Sequence, residues 1–155
     1  MKNQFVEFTA TFGYVGRIPT APGTFGSLAA VPLALLLQQG GDVFYMVVTL
    51  LLAALAIWVA QAYESQSKSH DPKEVVIDEV VGVLIAFTML TTWSALLAAF
   101  LLFRAFDILK PFPVGWADKK LEGGLGVVAD DILAGILASL IMQVLVQHTT
   151  WFELF

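Results

Sequence analysis

Two adjacent acidic pairs, Asp78-Glu79 and Asp130-Asp131, each stand immediately before a run of apolar residues. A single carboxylate there has a simple structural use, because aspartate caps helix N-termini and an anion suits the positive end of the helix dipole. Two neighbours exceed what a cap requires, and two such pairs brought to one surface repel unless a cation lies between them. Hard oxygen donors of this kind select Mg²⁺, Mn²⁺ or Ca²⁺. Gly82 and Gly135 follow at helical spacing, four residues after Asp78 and Asp131. A small residue at that place lets two helices approach closely.

A second constellation is Arg104, Asp107 and Lys110, whose spacing of three places them along one helix face. Pro111 then ends or redirects the helix. Arginine is suited to paired contacts with phosphate oxygens and lysine supplies a point charge; the structural alternative is an Arg and Asp pair snorkelling to a membrane surface. Two glycine-containing stretches flank these groups. Gly123, Gly124 and Gly126 lead into Asp130, and such glycines permit tight turns around an anion or a metal. Pro22-Gly23-Thr24-Phe25-Gly26-Ser27 opens an apolar segment with hydroxyls and backbone N–H groups at a helix start, a place that can hold phosphate. Capping by Thr24 or Ser27 is an equally good reading. It is not a Walker-type loop, because the Gly-Lys-Ser/Thr element is missing. His70 lies in Ser-His-Asp-Pro and His148 at the far end of the chain, so only His70 is placed for proton transfer. The ordinary role of a loop histidine is simply to be solvated.

The elements that must position these groups are membrane helices. Of 155 residues 58% are hydrophobic and only 14% charged, a balance outside the soluble range. Residues 43–63 hold no charge over about the 20 residues a bilayer crossing needs. Residues 27–39 are apolar but short and carry Pro32, as in a tilted crossing, a half-helix or a re-entrant segment, and leave through a Gly40-Gly41-Asp42 turn. Residues 79–109 are too long for one span and break at Thr91-Thr92-Trp93, which predicts a hairpin of two short arms; residues 132–147 close the bundle. No signal peptide is recognisable at the start, so insertion is expected from the body of the chain.

All eight basic residues fall at one predicted side: Lys2 and Arg17, then Lys68 and Lys73, then Arg104, Lys110, Lys119 and Lys120. Short cytoplasmic loops collect lysine and arginine, so the N-terminus is expected inside and the C-terminus outside. The net charge of −5 excludes nucleic acid as a partner, since phosphate-backbone binding needs clustered excess base. The absence of cysteine excludes disulfides, thiolate zinc sites and cysteine-dependent phosphatases. The expectation is an all-α polytopic membrane helical bundle of short or broken helices, one domain over residues 1–155, with an interfacial site on the cytoplasmic side.

Over roughly residues 19–135 the chain resembles the phosphatidylglycerophosphatase A family, on APGTFGSLAA from Ala21, His70-Asp71, VIDEVVG from Val76, FRAFDILKPFPVGWAD from Phe103 and GGLGVVADDILAG from Gly123. Val128 stands where the family pattern is expected to carry methionine, a difference of packing. The resemblance implies Mg²⁺-dependent hydrolysis of the terminal phosphomonoester of phosphatidylglycerophosphate, in the bacterial inner membrane with the active site facing the cytoplasm. On that reading Asp78, Glu79, Asp130 and Asp131 bind one or two Mg²⁺ ions. Arg104 and Lys110 stabilise phosphoryl charge, Asp107 orients Arg104 or joins the metal shell, and His70 protonates the leaving oxygen. Thr24, Ser27, Gly123 and Gly124 contact phosphate or head group. The competing reading is a small cation-binding transporter or channel subunit, which also clusters carboxylates near helix breaks but whose polar residues continue across the membrane.

Overall fold

A computed structural model describes residues 3–67 and 72–152; His70 lies outside the described residues. Among them the chain is all-helical. A short α1 (Gln4–Ala10) and a single 3₁₀ turn (Val15–Arg17) precede α2 (Pro22–Gln38) and α3 (Asp42–Ser67). They are followed by α4 (Ile77–Ala86), α5 (Trp93–Leu109), the short α6 (Val114–Lys120) and α7 (Gly123–His148). The expected membrane bundle is borne out: α3 and α7 are each 26 residues long and apolar enough to cross a bilayer, and α2 is a shorter apolar helix. Helix α7 is the centre, packed against α3, α4, α5 and α6.

The hairpin expected over residues 79–109 is present, with its arms unequal. Helix α4 has ten residues, so it rises about 15 Å, half of a hydrocarbon core. The chain then reverses through residues 87–92, with Met89 in the left-handed region at φ 59°. A helix end in an apolar surrounding leaves carbonyls that nothing solvates. Here amide side chains from two other helices serve them: Gln38 Nε2 donates to Leu90 O at 2.8 Å, and Gln143 Nε2 donates to Thr88 O at 2.8 Å. Tyr45 Oη donates to Leu84 O at 2.7 Å. These bonds tie the end of α2, the start of α3, the hairpin tip and the end of α7 to one end of the bundle. Every acidic or basic side chain of the site described next belongs to the opposite end.

Two sequence expectations change. Helix α7 begins at Gly123, nine residues earlier than expected, so Asp130 and Asp131 sit inside a helix and not at its entrance. Glycine's poor helix propensity makes the Gly-rich stretch read as a turn. In the fold those glycines let α7 touch α3, because a Cβ on Gly124 would lie 2.2 Å from Ile57 O. Lys110 leaves the shared face with Arg104 and Asp107, because α5 stops at Leu109 and Lys110 turns through φ 49°. Pro111 does end the helix, as expected.

Candidate active site

The placement of the carboxylates follows from a glycine contact. A Cβ on Gly135 would lie 2.5 Å from Gly82 O, and one on Gly82 would strike the Phe103 ring at 2.3 Å. With no side chain at either position, α4 and α7 meet backbone to backbone. Asp78 and Asp131, one turn earlier on each helix, are thereby set side by side. Asp131 is about 12 Å along α7 from Gly123, taking 1.5 Å per residue. The cluster is therefore sunk below the charged end of the bundle.

Asp78 is 8% exposed, Asp130 8% and Asp131 3%. Oxygens of Asp78 and Asp131, together with Glu79 Oε2, are buried without a hydrogen-bond partner. Burying a carboxylate unpaired costs several kcal/mol, a cost that a bound cation would offset. Two groups of three offer ligand oxygens lying within 4.8 Å of one another: Asp78, Glu79 and Asp131, and Asp107, Asp130 and Asp131. Opposite ligands of an octahedral Mg²⁺ lie about 4.2 Å apart, twice its 2.1 Å bond. The donor set is all oxygen and fits a hard divalent ion.

The cations are held around this cluster. Arg104 on α5 donates from Nη1 to Asp107 and to Ser27 Oγ at 3.2 Å, and from Nη2 to Thr24 Oγ1 at 3.4 Å. Ser27 Oγ in turn donates to Gly23 O at 2.8 Å. Thr24 and Ser27 thus lie inside the first turns of α2, whose N-cap is Ala21, and hold the guanidinium. Lys110 Nζ donates to Asp130 Oδ2 at 2.9 Å and to Asp118 on α6. Burial works against the Lys110 charge, but the bonds to Asp118 and Asp130 outweigh it and hold the ammonium well above the ordinary lysine range. Lys110 therefore remains a cation throughout the neutral range.

A cavity of about 430 Å³ joins these groups, lined by Asp78, Glu79, Asp107, Lys110, Asp118, Asp130 and Asp131, with Gly23, Gly126 and exposed Lys73 among its other walls. Arg104 flanks this cavity through Asp107. Gly123 and Gly124 are placed elsewhere: they pack on α3, where Gly124 N donates to Gln61 Oε1 at 2.8 Å. They act on the site through helix packing. Sequence reasoning gave no role to Asp118, Gln61 or Gly23. A Cβ on Gly23 would lie 2.1 Å from Glu79 Oε1, so the α2 N-terminus closes over that carboxylate. The glycine inside the Pro-Gly-Thr motif was the available signal.

The family described as Phosphatidylglycerophosphatase A matches residues 8–146. A Haemophilus influenzae protein named Phosphatidylglycerophosphatase A is 42% identical over 130 residues, covering 82% of this chain and 80% of its own. An Escherichia coli K12 protein of the same name is 33% identical over 150 residues, covering 96% and 87%. A Bacteroides thetaiotaomicron protein, provisionally named as a phosphatidylinositol-3-phosphatase, is 39% identical over 141 residues, covering 83% and 86%. No solved structure matches the chain. The matched region spans α2 through nearly all of α7, every carboxylate of the cavity included, and the chain belongs to the phosphatidylglycerophosphatase A family.

Proposed function

We propose that this chain hydrolyses the terminal phosphomonoester of phosphatidylglycerophosphate, giving phosphatidylglycerol and inorganic phosphate, with Mg²⁺ held by the buried carboxylates. The observation that carries this reading is the set of unpartnered carboxylate oxygens on Asp78, Glu79 and Asp131, facing one cavity that Lys110 also lines. When bound, Mg²⁺ supplies activation of water at neutral pH and screening of phosphate charge. Lys110 is placed to meet an equatorial phosphoryl oxygen, held between Asp118 and Asp130. Arg104, fixed by Asp107, Thr24 and Ser27, stands beside the cavity and holds Asp107 toward the cluster. Water oxygen bonds to phosphorus as the bond from phosphorus to the glycerol oxygen breaks. The proton lost by water balances the one the glycerol oxygen gains. Because the cavity lies at one end of an apolar bundle, the head group enters it while the acyl chains stay among lipids.

A transporter reading asks for polar groups onward through the bundle. Beyond Asp78 and Asp131 the described interior includes Leu84, Ala134, Ala138 and Met142, all fully buried and apolar, and the buried polar residues Tyr45 and Thr49 there carry no charge. Purified protein mixed with phosphatidylglycerophosphate in detergent micelles is expected to release one phosphate per lipid and to leave phosphatidylglycerol, read by phosphate assay and lipid mass. A product other than phosphatidylglycerol, or no phosphate at all, would overturn the proposal.

The same reading puts the charged end at the cytoplasmic face of the bacterial inner membrane, because Arg17, Lys73, Arg104, Lys110, Lys119 and Lys120 all lie at that end. The chain has no cysteine, so single reporters are clean. In intact cells an impermeant thiol reagent applied through the outer membrane should modify Asp42→Cys and spare Lys120→Cys. The reverse pattern would invert the topology.

A further inference from the structure

We propose that the cavity is a two-ion centre in which Asp131 bridges two divalent cations, with Asp78 and Glu79 completing one position and Asp107 and Asp130 the other. The inference rests on the reading of this site as a metal-dependent phosphatase and fixes its stoichiometry and ligand sets. Three observations carry it.

The first is geometric. The two groups of ligand oxygens are distinct at Asp78, Glu79, Asp107 and Asp130 and common only at Asp131. A carboxylate with two oxygens is the usual means of holding two ions about 3.5–4 Å apart, the spacing found in enzymes that displace groups at phosphorus. The second is the unsatisfied burial. Asp131 is 3% exposed and Asp78 8% exposed, and each leaves an oxygen without a partner. Lys110 serves Asp130 and Arg104 serves Asp107, each through one carboxylate oxygen, Oδ2.

The third is charge. Asp78, Glu79, Asp107, Asp118, Asp130 and Asp131 face Arg104 and Lys110, leaving an excess of four negative charges apart from the exposed rim residue Lys73. One divalent ion halves that excess and two cancel it. A phosphomonoester arrives as a dianion, and each uncancelled negative charge in the cavity opposes it. A single ion leaves the site repelling its substrate. Asp107 thereby becomes a metal ligand as well as the partner of Arg104, which explains why it stands one helical turn from that arginine and faces α7.

The test is a count of bound Mn²⁺ on the purified full-length chain in detergent, stripped of metal and titrated while free Mn²⁺ is followed by electron paramagnetic resonance. Two ions per chain, with the broadened spectrum of an exchange-coupled pair, are expected. Asp107→Asn should bind one ion with an isolated-ion spectrum. One ion on the wild-type chain, or two with no coupling, would overturn the bridged centre while leaving a one-ion phosphatase standing. No ion at all would overturn the metal reading itself. An Asp107→Asn protein that keeps the coupled pair would remove Asp107 from the ligand set. The wild-type count decides the main point even if the variant fails to fold.

Discussion

Asp131→Asn is expected to reduce phosphate release by at least about 10³-fold, the scale seen when a group that stabilises transition-state charge is lost. Asp131 is the residue common to both ligand groups, and it is nearly fully buried with a free oxygen. Asparagine keeps its size, so helix packing at the Gly82–Gly135 contact is preserved. The substitution removes one negative charge from among Asp78, Glu79, Asp107 and Asp130. In metal-free protein it should therefore leave thermal stability unchanged or raise it, because it relieves repulsion between buried like charges. That pairing of lost turnover with retained stability separates an ion ligand from a residue that merely supports the fold. Phosphate assay of the purified variant, with a melting curve of the metal-free form, reads both. Turnover within tenfold of wild type would remove Asp131 from the centre. Lower stability in the absence of metal would assign it a structural duty.

Much of the fold was legible because a bilayer leaves few solutions. The uncharged run over residues 43–63 became α3, the break near Thr92 became the hairpin turn, and Pro111 ended α5. The one-sided distribution of base was enough to gather Asp78 and Asp131 at one end. The Gly82 and Gly135 spacing was read correctly as a close helix contact, because small residues at a shared register have few other uses in a membrane. The errors came where glycine has two meanings. Gly123, Gly124 and Gly126 read as a loop from their propensity, whereas Gly123 and Gly124 serve the packing of α7 on α3, and this moved Asp130 and Asp131 from a helix entrance into a helix interior.

Partnerships across the bundle were the least legible. Nothing in local spacing says that Thr24 and Ser27 hold Arg104 from 80 and 77 residues away, or that Asp118 on α6 shares Lys110 with Asp130. Those contacts depend on where α6 folds back and on a single left-handed residue at Lys110. The spacing of Arg104, Asp107 and Lys110 put all three on one helix face, and the fold moves Lys110 off it.

The second large effect is the loss of activity without metal. Five carboxylates form the two ligand groups, and the nearby cations Arg104 and Lys110 are already engaged with Asp107, Asp118 and Asp130. A bare site of this charge opposes a phosphate dianion by several kcal/mol, since each charge pair at 4 Å contributes about 4 kcal/mol at an effective dielectric of 20. It also provides no means of activating water near neutral pH. The deciding measurement is phosphate release from phosphatidylglycerophosphate by protein stripped with chelator, its residual metal counted, before and after Mg²⁺ is returned. Release should fall to the level of the lipid alone and recover with added Mg²⁺. Full turnover by protein shown to be free of metal would contradict the account at its centre.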